Sequence, residues 1–178
     1  MTHAFAFPRH AYLPGQTPRH DEAAFDAVKA EAPAVTRSEE SGANVTWRHG
    51  LDLFAAGYFW EAHEVLEPVW MNAAPNSAER HVVQGEIQLA NAALKLKMGR
   101  PKAAERLSAI AGELFHRVPA TEVVMGLPVE ALREAAAHAP DMDWPEQAQA
   151  IERVLEMQYN AQYPPCHTKQ GMWKGDIS

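Results

Sequence analysis

The chain has 178 residues, 47% of them hydrophobic and with five Trp, six Phe and four Tyr, and its 16 Lys and Arg against 23 Asp and Glu give a formal charge of -7. That length suits one domain with a sizeable core, and the apolar content excludes wholesale disorder because enough nonpolar surface exists to offset the entropy of ordering. The acidic balance argues against nucleic acid or an anionic membrane surface as a partner, and no apolar stretch approaches the roughly 20 residues a spanning helix needs.

Met1 to Pro8 lacks a basic region followed by an apolar core, so the expected location is the cytoplasm. The next residues hold Pro14, Gly15 and Pro18 and predict an extended arm lying on the domain. Asp21 to Ala32 suits a short helix, and Pro33 to Asn44 reads as a polar loop. Helical periodicity then runs from Trp47 to Ala56 and, after a turn at Gly57, from Tyr58 onward, with Pro68 expected to kink or shorten the second helix. A loop around Pro75 precedes a long helix from Ala78 to Met98 that Gly99 closes.

Pro101 starts the next helix, whose Lys102 to Arg117 stretch is an ordinary amphipathic packing pattern. Pro128 and Pro145 occupy first turns of two more helices, over Val129 to Ala139 and Glu146 to Gln158, and the chain beyond Tyr163 reads as an irregular tail. No run alternates with period two over a strand's length. The expectation is an all-α, compact single-domain bundle of about five to seven helices with an extended N-terminal arm and an irregular C-terminal tail. Its divisions are 1–44 for arm, short helix and loop, 45–160 for the helical core, and 161–178 for the tail. Cys166 is the sole cysteine, so neither an intrachain disulfide nor a Cys-rich zinc site is possible.

Two polar stripes stand out. On a helix advancing about 100° per residue, Trp60, His63, Glu64, Glu67 and Trp70 share a face opposite Ala62, Val65, Leu66 and Val69. On the long helix His81, Gln84, Gln88, Asn91 and Lys95 form one narrow stripe among apolar residues. Packed together, the stripes place His63, Glu64 and Glu67 against Gln84 and Gln88 in a pocket walled by indoles.

Three readings follow. In the first, Glu67 and the glutamines satisfy His63 and the indole donors within a buried structural network. In the second, the convergent polar groups hold a small polar metabolite. In the third, His63 and Glu67, four apart, serve as an acid and base pair or as metal ligands in a hydrolase-like enzyme that Gln84 and Gln88 assist by orienting substrate. No metal set is assigned and no cofactor is named by these residues. The first choice is a non-enzymatic or ligand-binding domain that self-associates. His3, His10, His20, His49, His116, His138 and His167 lack a spaced partner motif and read mostly as surface residues.

The run Gly57-Tyr58-Phe59-Trp60-Glu61-Ala62-His63-Glu64-Val65-Leu66-Glu67-Pro68-Val69-Trp70, followed by Gln84-Gly85-Glu86-Ile87-Gln88-Leu89-Ala90, resembles the uncharacterised helical family called domain of unknown function 309. The resemblance covers about Trp47 to Leu114, and Tyr12-Leu13-Pro14-Gly15 with Pro18-Arg19-His20 is similar to the arm that precedes this core in some members. It implies a compact helical fold in small cytoplasmic proteins, with His63, Glu64, Glu67, Trp70, Gln84 and Gln88 forming the family's motif, and it implies no reaction. Many members carry a histidine where this chain has Lys95. A lysine is a poor metal ligand at neutral pH and favours anion or carboxylate handling instead.

Overall fold

The helix ends are written in the sequence. Asn44 accepts the Trp47 N–H at 2.9 Å and opens α2, Val45–Ala55, while Ser77 accepts the Arg80 N–H at 3.1 Å and opens α4, Ala78–Lys97. Gly57 at φ 83° ends α2 with the Tyr58 N–H on the Leu53 carbonyl, and Gly99 at φ 68° ends α4 with the Arg100 N–H on the Lys95 carbonyl. Both are six-to-one closures that need a left-handed residue. The structure, a computed structural model, describes residues 5–21 and 23–138.

Around these lie α1, Asp26–Ala30, a 3-10 turn at Ser38–Glu40, α3, Phe59–Met71, α5, Pro101–Phe115, and α6, Val129–His138. The helices pack in chain order, α2 on α3, α3 on α4, α4 on α5 and α5 on α6, around Trp47, Phe54, Leu66, Leu89 and Phe115. The fold is the expected helical bundle, and among the described residues no helix is long and apolar enough to cross a membrane. Close packing is set by two glycines. A Cβ at Gly50 would fall on the Leu66 side chain, and one at Gly85 on the Phe115 ring.

Several expectations need correction. The first helix is shorter than Asp21 to Ala32, because only Phe25 and Val28 of that stretch reach the core. Pro68 does not end α3, which runs on to Met71. The proline leaves the Glu64 carbonyl without its helical N–H, but the last turn is held from outside. Thr36 Oγ1 donates to the Val69 carbonyl at 2.7 Å, and Arg80 Nη1 donates to the carbonyls of Trp70 and Ala73 at 3.1 and 2.9 Å.

A small hairpin also forms, β1, Val123–Val124, against β2, Leu127–Pro128, so Pro128 closes a strand pair just before α6 rather than lying within its first turn. Met125 and Gly126, at φ 53° and 78°, supply the two left-handed positions of a tight hairpin turn. Met125 is secured by the Ser38 Oγ on its N–H at 2.7 Å and the Trp47 Nε1 donor on its carbonyl at 3.1 Å. The helix expected at Glu146 to Gln158, the tail and Cys166 lie outside the described residues.

The arm, 5–20, is extended and lies on the bundle. Phe5 and Phe7 set their rings edge-on to His49, and Tyr12 does the same to Trp60 with centroids 5.1 Å apart.

A candidate polar groove between α3 and α4

The core face of α3 is as its spacing requires, with Ala62, Val65, Leu66 and Val69 wholly buried. The opposite stripe, Trp60, His63, Glu64, Glu67 and Trp70, is half-buried, and so is the α4 stripe of His81, Gln84, Gln88, Asn91 and Lys95. Two contacts set the antiparallel register of these helices. His63 Nδ1 bonds to Asn91 Oδ1 at 2.9 Å, and the Arg80 guanidinium stacks over the Trp70 ring at 4.5 Å. Glu67, one turn past His63 on α3, therefore falls alongside the Gln84 to Gln88 segment of α4, and Lys95 lies one turn beyond Asn91 toward the Trp60 end.

The hydrogen bonding differs from a closed network. His63 is bound by Asn91, not by Glu67 or a glutamine. Glu64 turns to α1, where its Oε2 accepts from Lys29 Nζ at 2.8 Å, so the ammonium beside it is Lys29 rather than Lys95. Among the described residues Glu67, Gln84, Gln88 and Lys95 have no hydrogen bond or ion pair with another side chain. Trp70 Nε1 is buried and has no acceptor among the described residues. Among the described residues no group of three or more His, Cys, Asp or Glu is gathered as a metal-ligand set.

Two buried carboxylates escaped the sequence reading. Glu61, wholly buried, accepts the Tyr12 N–H on Oε1 and pairs there with His20 Nε2 at 2.7 Å, so it ties the arm to α3, while its Oε2 has no partner. Its signal was the stripe it shares with Val65 and Val69 at spacings of four. Glu86 lies on the stripe of Val82, Ala90 and Ala93, is wholly buried, and among the described residues has no partner on either oxygen. Burial alone pushes its carboxyl up to about 8, which leaves it mostly protonated at neutral pH.

The histidines divide differently from the surface reading. His49 is buried between Phe5 and Phe7, and His20 is nearly so, stacked on His10 with centroids 4.8 Å apart. His116 and His138 are exposed, each turned back on the carbonyl four residues earlier in its own helix. His3 and His167 lie outside the described residues.

These features define a small all-α domain with half-buried polar stripes on two adjacent helices, α3 and α4, and an N-terminal arm lying on the bundle. Residues 47–107, from α2 into α5, match the model of the family described as Domain of unknown function (DUF309), which bears out the resemblance drawn from the Gly57 to Trp70 and Gln84 to Ala90 runs. No curated protein and no solved structure matches the chain.

Proposed function

We propose that the domain is a non-enzymatic binding module that takes a small polar ligand along the α3–α4 groove, against His63, Glu67, Gln84 and Gln88, with Trp60 and Trp70 toward its ends. The observation that carries this reading is the Trp70 indole N–H, buried without an acceptor at the edge of two half-exposed polar stripes. A network built for stability would satisfy that donor first, since a buried unpaired N–H costs about 1–3 kcal/mol. A ligand oxygen would satisfy it instead. The Gln84 and Gln88 amides supply both donors and acceptors, Glu67 accepts, and the Asn91 bond to Nδ1 leaves His63 Nε2 for the ligand.

Native mass spectrometry on protein purified without chelators or affinity metals tests this. The expected result is a stoichiometric small polar molecule on the wild type that is lost in His63→Ala and Glu67→Ala, with Glu67→Ala within about 0.5 kcal/mol of wild-type stability as for a position without a side-chain partner. A bare wild type, with both variants destabilised by about 1–3 kcal/mol, would return the cluster to a structural role.

A further inference from the structure

A concavity of about 400 Å³ lies where the arm meets α1 and α2. Its two sides differ in chemistry. Phe5, Phe7, Phe25 and Val28 supply an apolar wall, and the buried His49 lies among them. Arg9, Arg19, His10 and His20 supply basic groups, with Asp21 as the lining carboxylate. In a chain of formal charge -7, the cleft is lined by two guanidiniums and one carboxylate, a local excess of basic groups in its lining.

Three of the basic groups, Arg19, His10 and His20, are placed by identifiable contacts. The Arg19 guanidinium stands 5.7 Å from the Trp60 ring centre, which orients the fork without occupying its N–H groups. His10 Nε2 is fixed on the Pro18 carbonyl at 2.9 Å. His20 has Nε2 tied to the buried Glu61, whose charge thus lies behind the ring. A carboxylate on Nε2 holds the proton there and fixes the ring at the cleft wall, with Nδ1 as an acceptor.

We infer that this cleft is a binding site for a small amphipathic anion, a carboxylate on a short aromatic or apolar body. The carboxylate meets Arg9 and Arg19, and the body lies on the phenylalanine wall. A volume of this size admits a ligand of that class, and planar guanidiniums pair with carboxylates in two-point geometry. The site is separate from the α3–α4 groove and stands or falls without it.

The test uses benzoate and its neutral counterpart benzyl alcohol, titrated calorimetrically into the full chain, its Arg9→Met/Arg19→Met variant and His63→Ala. Both arginines are exposed, so the double variant is expected to melt with the wild type. The expected result is one-to-one binding of benzoate near or below about 1 mM, weakened about tenfold or more in the arginine variant and unchanged in His63→Ala, with benzyl alcohol much weaker. Benzyl alcohol binding as well as benzoate, benzoate binding unchanged in the arginine variant, or no benzoate binding to the wild type would each overturn the assignment. Loss of benzoate in His63→Ala would move the ligand to the groove.

Discussion

Glu86 gives the sharpest quantitative prediction. Its carboxyl is wholly buried, neither oxygen has a partner, and burial moves it from 4.5 to about 8. Between those values the folded chain keeps a proton that the unfolded chain has released, so stability falls as pH rises through the window and levels off above about pH 8. The slope is about 1.4 kcal/mol per pH unit, which places the loss between pH 5 and pH 7.5 on the order of 3 kcal/mol. Glu86→Gln keeps the shape and removes the titration. Urea unfolding of both proteins at about pH 5 and about pH 7.5 should find them similar at the acid end and the variant more stable at the neutral end by about 3 kcal/mol. A difference that does not change with pH would refute the reasoning, because it would mean that Glu86 ionises alike in the folded and unfolded chain.

Three further outcomes follow from the packing. Gly85→Ala forces a Cβ onto the Phe115 ring and should cost about 1–3 kcal/mol in denaturant unfolding, more than any exposed alanine substitution on α5. Trp47→Phe removes the donor on the strained Met125 carbonyl and part of a buried ring, and should cost about 2 kcal/mol or more with the hairpin amides exchanging faster. Glu61→Gln exchanges the acceptor that holds the Tyr12 N–H and His20, so amide exchange at Tyr12 should speed up about tenfold or more while the α4 amides stay protected; equal acceleration of both would mean that the arm is no separate unit.

Much of the fold was legible because its signals are local. The two closing glycines, the proline that starts α5 and the helical spacing of Ala62, Val65, Leu66 and Val69 each act within a few residues. Features made by distant parts of the chain were not legible. The two-residue strands are too short to alternate, and their turn is stabilised by Trp47, 78 positions before Met125. His20 looked partnerless because its carboxylate, Glu61, is 41 residues away. The polar stripes were placed correctly on their helices, but spacing within a helix says nothing about which groups meet across two. That is why the partner of His63 proved to be Asn91, and that of Glu64 proved to be Lys29.

The groove reading turns on the Trp70 indole N–H, a donor with no acceptor among the described residues. Trp70→Phe removes that N–H and keeps an aromatic face under Arg80. The direct measurement is the occupancy of the bound molecule on the two proteins by native mass spectrometry. The account predicts a wild type carrying a small polar molecule and a Trp70→Phe variant whose occupancy falls about tenfold or more. Equal occupancy in both, or a wild type that carries nothing, would contradict it.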